Sequence, residues 1–595
     1  MRRLIGLILV VTLTIFATLV EGFRNNLWIS YRDYRSPYLA DLPSGPARQA
    51  PAATVMVVLV RGLRLDASRQ MPTLNGLREK GGSFIIQNEP PTYRVPAWTT
   101  LTSGATAEIH GITTNQPGRV SGASSIFREF QLAGGVAAVV GSQSLGDTLS
   151  AEVQRFEVVE NPEIAHRDDD AARIGLEVLR DHQNPAQLIC IELTALEDTV
   201  NDNSGNSAAA TAITDSRIKT LLDGLDLTTT ALVVLSDRGL PGPNGDGGGE
   251  PDVAMTPLVM AGAGVAAHSQ GLIQAVDVAP TIAALLGAPL PVHAQGEPAL
   301  AGLALPLTVQ PGAALSKTAA VSTTVLATSA LAPLPALLLG SALQLTTFYE
   351  SWSEAIRQPR FASEMFRAQQ AAITSGDAAA YQKFVDDLRA RAIVGRDTRI
   401  ANERSQRLPI LVGVGLFLIV VAGVTFTTRR WQPFAGAVLY TAGWYAIFTL
   451  ARGHLFSLAM FGNSDPTAFL AGLARDSTVL LIVVTAIIAL TTGRHDDGLD
   501  AITTVLNTVL LIVCVQVGQA AWFYFQWGAQ FSWALPDSQS LVAAMAELTQ
   551  ISALSLRIVP ELPNLPIPLL IAVLSLIIYT LVRHKEEPGR YGRLR

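Results

Sequence analysis

An α/β domain built on a largely parallel sheet, followed by an all-α polytopic transmembrane region, is the fold class that the sequence predicts. Short apolar runs of four to seven residues recur between helical patterns from Thr54 to Met260, as strands buried on both faces require. Longer apolar runs open the chain and recur from Thr318 to its end, near the roughly 20 residues that cross a hydrocarbon core. Over 595 residues the chain is 49% hydrophobic and only 15% charged. Ordinary soluble domains carry about 25% charged residues, so a wholly soluble chain is excluded.

Arg2 and Arg3 precede the apolar run from Leu4 to Val20, the basic-then-apolar order of a signal segment. No small-x-small cleavage pattern follows, so residues 1–22 are expected to remain as an N-terminal signal anchor helix, with the next domain extracytoplasmic. That domain spans 45–310, with apolar runs at Thr54 to Val60, Val136 to Val140, Leu188 to Leu193, Leu232 to Leu235 and Pro257 to Met260. Functional residues of parallel sheets collect at the carboxyl ends of strands. There stand Arg61-Gly62, Glu197-Asp198 and Ser236-Asp237-Arg238-Gly239.

Segment 318–345 is apolar but carries Pro333 and Pro335 at its middle, where proline interrupts helical hydrogen bonds. It is expected to re-enter the membrane, or to cross once with a further half-span near 455–473 or 529–555 restoring the orientation of the tail. Residues 346–407 space Glu350, Arg367, Asp387 and Arg396 among Phe, Leu and Ile, the pattern of an amphipathic helical connector. A transmembrane domain at 408–583 is expected to cross at 408–427, 434–451, 476–492, 500–527 and 565–583. Arg429-Arg430, Arg494-His495 and the basic tail 584–595 mark the cytoplasmic side of a multi-pass cell-membrane protein. The spans hold almost no ionisable residues, whereas a transporter needs some. They read as an anchor or docking surface.

The net charge is −6 with no basic tract, which excludes nucleic acid as a partner. Two cysteines, Cys190 and Cys514, fall in an expected strand and an apolar helix, so neither a disulfide framework nor a thiolate zinc site is available. The expected partners are the lipid bilayer and a phosphorylated headgroup or another membrane protein.

The blocks Val57-Val-Leu-Val-Arg-Gly-Leu-Arg-Leu-Asp66, Met71 to Arg78, Pro91 to Gly104 and Ala107-Glu-Ile-His-Gly111 are followed by Leu235-Ser-Asp-Arg-Gly239, Gly245 to Pro251, Thr256 to Gly264 and Asp277 to Gly287. In order and spacing over about 54–300 this series resembles the alkaline phosphatase superfamily. The nearest branch is the type I phosphodiesterase/nucleotide pyrophosphatase group with its phosphoethanolamine transferase relatives. The resemblance implies an alkaline-phosphatase-like sheet with helices on both faces. It also implies a phosphoryl-transfer site in which two divalent metals, zinc above all, activate a Thr or Ser nucleophile.

The positions that matter depart from that pattern. Arg61 stands where the family has an Asp after the first strand, and Arg94 at the nucleophile position. Arg238 replaces the His of Ser-Asp-His-Gly, while Asp237 is kept. Asp198 matches the Asp of Asp-x-x-Gly-His, but Asn201-Asp202 stand at Gly-His, and Gly245-Asp246-Gly247 lacks the late His. A guanidinium has no lone pair to ligate a metal and stays charged. The arginines are therefore expected to take the electrostatic place of the metals, with Asp198 and Asp237 as partners, no catalytic residue and no cofactor. Three readings stay open: a structural ion-pair cluster, a site that binds phosphate or a lipid headgroup through Arg61, Arg94 and Arg238, or catalysis by unconventional residues. The first two make the protein a pseudoenzyme acting as scaffold or anion binder. The alternative is an active phosphodiesterase or phosphotransferase with two metals on membrane-associated phosphoesters. His110 is expected to be a turn residue, Thr92 a weak substitute nucleophile, and Gly245 to Gly249 no nucleotide loop, lacking the Lys-Ser/Thr of one.

Overall fold

The computed structural model describes residue 15 and residues 19–149, 152–202, 207–242, 245–305, 331–427, 430–493 and 498–555. The expected runs before residue 19, the span at 565–583 and the tail 584–595 lie almost wholly outside those residues, as does 318–330. The chain forms two compact units, one of Tyr34–Arg399 with Ser532–Ala534, the other of Met1–Asp33, Ile400–Phe531 and Leu535–Arg595.

The first unit holds β1 (Thr54–Val60), β2 (Gly82–Gln87), β3 (Ala137–Gly141), β4 (Arg155–Val158), β5 (Leu188–Leu193), β6 (Thr230–Leu235), β7 (Met255–Gly262) and β8 (Ser269–Gln274). They form one sheet in the order β4-β3-β5-β1-β6-β7-β2-β8. The five expected runs are all strands. The sheet is mixed rather than parallel, because β7 pairs antiparallel with both β6 and β2. Strand β1 lies between β5 and β6, parallel to both, and alternates its side chains between two cores. Val55, Val57 and Leu59 enter one with Trp98 and Ile282, and Met56, Val58 and Val60 enter the other with Leu74 and Ile218. Burial on both faces is why this strand reads as an unbroken apolar run.

The stretch after the sheet is not organised as expected. Pro333 and Pro335 begin the helix Pro333–Ala355 instead of interrupting one, and proline is tolerated in a first turn, whose N–H groups have no intrahelical acceptor. Leu337 of this helix belongs to the core with Val55 and Trp98, and Gln344 brackets Leu290, accepting from its N–H at 2.9 Å and donating to its carbonyl at 2.6 Å. The expected connector is helical, as Ala362–Thr374 and the start of the 50-residue helix Ala378–Thr427. Two of its arginines grip the sheet domain. Arg396 bonds both oxygens of Glu108 at 3.1 and 2.7 Å, and Arg389 reaches Glu297 at 3.1 Å and Asp277 at 3.5 Å.

The regular elements described in the second unit are helices. Among the described residues four helices are long and apolar enough to cross a membrane: Ala378–Phe426, which begins in the first unit, Gln432–Ala451, Thr467–Thr492 and Ala501–Trp527. They cover four of the expected spans, and no helix boundary falls at 407, where the connector was expected to end. A shorter helix, Ser538–Ser555, packs on the third and fourth.

Candidate functional site

The site lies at the carboxyl edge of the central strands. Arg61 follows β1 directly and is held to β5 by its N–H, which donates to Leu193 O at 3.0 Å. Gly62 then turns the chain away with φ +72°, and a Cβ there would lie 3.0 Å from that of Leu240, so glycine suits the position. The register sets Leu59 of β1 beside Glu192 of β5 and Leu235 of β6. Two residues further along each chain, Arg61 meets Asp237. Its Nη1 donates to Asp237 Oδ2 at 2.6 Å and its Nε to Glu192 Oε1 at 2.5 Å, while the guanidinium lies 5.6 Å from the centre of the Trp98 ring.

Arg238 completes the cluster. Its Nη1 donates to Asp237 Oδ2 at 2.6 Å, its Nε to Asp246 Oδ2 at 2.7 Å and its Nη2 to Glu197 Oε1. Arg61, Asp237 and Arg238 are all buried, Asp237 completely. Burial alone would raise the Asp237 carboxyl, but Arg238 and Arg61 outweigh it and hold the group below its ordinary range. Asp246 goes the other way, because burial exceeds the pull of Arg238 and raises it. For both arginines burial is outweighed by the surrounding carboxylates, and the pKa lies above the ordinary value. They stay charged.

Of the five arginines and aspartates expected at the site, three therefore meet. Asp198 does not join them; its Oδ2 accepts from Arg167 Nη1 at 2.6 Å. Its neighbour Glu197 takes the expected place, since successive residues of the helix Ala195–Asn201 point about 100° apart. Glu192, Glu197 and Asp246 were missed as partners. Arg94, at the start of the helix Arg94–Ser103, borders the cluster across a cleft that it shares with the carboxylates Glu192, Glu197 and Asp198. The cleft, of about 600 Å³, is lined also by Ser142, Asn161 and Arg167, and the Arg94 Nε is buried without a hydrogen-bond partner.

The two divalent cations implied by the resemblance do not fit these residues. Guanidinium nitrogens lie on Glu192, Glu197, Asp237 and Asp246, on the lone pairs a metal would need. The second oxygen of Glu192 accepts from Ser142 N and Oγ, each at 2.7 Å. Among the described residues no group of three His, Cys, Asp or Glu is disposed to hold a metal ion. His110 is a buried turn residue, Nδ1 accepting from Ile112 N and Nε2 facing Thr100 Oγ1, each at 3.1 Å. Burial, then Arg119, pushes its pKa down to about 3. Thr92 is locked to the glycine run, donating to Gly248 O at 2.7 Å and accepting from Gly247 N at 3.0 Å.

Residues 55–127 match the family model described as type I phosphodiesterase / nucleotide pyrophosphatase. Among solved structures, an alkaline phosphatase superfamily protein from Vibrio parahaemolyticus is 13% identical, with 47% of this chain and 77% of that one covered and a TM-score of 0.34. Murine ectonucleotide pyrophosphatase / phosphodiesterase 5 is 14% identical over 40% of this chain and 96% of its own, with a TM-score of 0.33. The phosphonate monoester hydrolase of Silicibacter pomeroyi is 13% identical over 42% and 76%, also with a TM-score of 0.33. No curated protein matches the chain. Residues 55–127 of the α/β domain are thus similar to the type I phosphodiesterases and nucleotide pyrophosphatases.

Proposed function

We propose that this is a membrane-anchored pseudoenzyme of the alkaline phosphatase superfamily, its α/β domain extracytoplasmic and its C-terminus cytoplasmic, working without metal as a scaffold and binder of anionic groups. One observation carries the reading: Asp237 Oδ2 is shared by Arg61 and Arg238, each at 2.6 Å. The carboxylate at the centre of the cluster has its charge compensated within the chain. The full-length protein purified in detergent is expected to carry far less than one metal ion per chain and to leave bis-p-nitrophenyl phosphate intact with or without added Zn²⁺. Stoichiometric Zn²⁺ or Mn²⁺, together with hydrolysis that survives Arg94→Ala but stops on chelation, would instead identify a phosphodiesterase or phosphotransferase acting on membrane-associated phosphoesters.

Anion binding rests on Arg94 alone. Arg61 and Arg238 are committed to carboxylates, whereas Arg94 presents a buried, unpartnered Nε at the wall of the cleft. A charge-assisted hydrogen bond contributes about 1.5–3 kcal/mol. Arg94→Ala is therefore expected to weaken calorimetrically measured binding of a phosphorylated headgroup such as phosphoethanolamine by roughly tenfold or more, with the melting temperature held. Equal binding by the variant would remove Arg94 from the reading.

A further inference from the structure

The membrane unit contains a polar seam that the α/β domain does not account for. Gln516 and Gln519 lie on the helix Gly498–Trp527, and Glu547 and Gln550 on Ser538–Ser555. Gln516 Nε2 donates to Gln550 Oε1 at 2.9 Å. Tyr445, from the helix Gln432–Ala446, bridges the other two, its hydroxyl accepting from Gln519 Nε2 at 3.4 Å and donating to Glu547 Oε1 at 2.6 Å. One helix ascends in number as the other descends, so two antiparallel helices present two polar rungs one turn apart.

In each rung one amide oxygen is left without a donor. Gln516, Gln519 and Tyr445 each direct a donor into the seam, while Gln516 Oε1 and Gln519 Oε1 are buried with no hydrogen-bond partner. Gln516 is only 1% exposed and Gln550 4%. Unpaired acceptors between apolar helices are costly, and a carboxylate there more so. A proton on Glu547 could satisfy one acceptor and leave the other. A water could bridge both and leave the carboxylate charge. A cation addresses all three.

We propose that Gln516, Gln519, Tyr445 and Glu547 form a binding site for an alkali-metal ion, sodium or potassium, held by oxygen atoms alone. Amide and carboxylate oxygens replace the hydration shell of such ions, and one carboxylate balances one positive charge.

The test is thermal unfolding of the full-length protein in detergent at constant ionic strength, with choline chloride exchanged for NaCl or KCl. A ligand that binds only the folded state raises its melting temperature. A saturable rise of about 2–4 °C is expected in one of the alkali salts, and the more effective salt names the ion. Glu547→Gln keeps the shape and removes the charge, and is expected to abolish the rise. If that variant does not fold, Gln516→Leu removes one coordinating oxygen with the charge retained and is expected to reduce it. Equal melting in choline, sodium and potassium overturns the proposal, as does a rise that persists in both variants. A response to pH without a response to either salt also overturns it, in favour of the carboxyl proton alone.

Discussion

Arg238→Ala is expected to destabilise the protein by about 3–5 kcal/mol at pH 7, the usual cost of removing one partner from a buried ionic group. The guanidinium bonds Glu197, Asp237 and Asp246 at once; without it, only Asp237 keeps a cation, from Arg61. The pH dependence should change as well. In the native protein the depressed Asp237 pKa adds stability that is present above the unfolded value of 3.8 and lost as pH falls through the still lower folded value. Asp246 is already raised by burial against the pull of Arg238. Freed of Arg238 it should bind its proton more tightly, and a raised carboxyl favours folding below its unfolded pKa and loses that contribution as pH rises. Thermal unfolding of both proteins should therefore show a gap that is wide at pH 7 and narrower near pH 4. A constant gap would mean that Arg238 acts by packing its stem, with its charge immaterial.

Gly239→Ala is expected to cost about 3 kcal/mol, at the upper end for forcing an extra methyl into packed structure. The added Cβ would overlap the backbone carbonyl of Asp252. The chain cannot step aside, because Gly239 N donates to Val253 O at 2.9 Å and Leu240 N to Gly62 O at 3.1 Å. Yielding would drag Arg238 off its carboxylates. Gly242, where an added methyl would meet no atom within 4 Å, is the control, and Gly242→Ala should change stability by no more than about 0.5 kcal/mol. Denaturant unfolding of the pair checks both, and a mild effect at Gly239 would mean that the loop after β6 moves freely.

The strands legible in the sequence are those flanked on both faces. Strands β5 and β6 are buried along their whole length and β1 from Val55 onward, and burial writes itself as runs rich in Val, Leu and Ile. Strand β2 was missed because it alternates buried Phe84 and Ile86 with half-buried neighbours. At the sheet edges β4 reads Arg-Phe-Glu-Val and is half-buried, and β8 reads Ser-Gln-Gly-Leu-Ile-Gln with its middle exposed, so neither carries an apolar signal. The meeting of Arg61 with Asp237 was legible, since both end adjacent strands. Glu192 was not, because it sits inside the run Leu-Ile-Cys-Ile-Glu-Leu, and only the parallel register of β1 with β5 reveals its partner. The preference for Asp198 over Glu197 failed on helical phase, which a motif match does not resolve.

A bound ion exchanges with its surroundings; a guanidinium does not. Its occupancy beside Asp237 is one at every concentration of free cation, because the backbone that carries Arg61 and Arg238 delivers them when the chain is made. Chelation, starvation and the wrong ion, three routes by which a metalloprotein fails, have no purchase on that charge balance. The same tether forfeits adjustment: no change in cation supply can tune it, and any alteration must come as a codon.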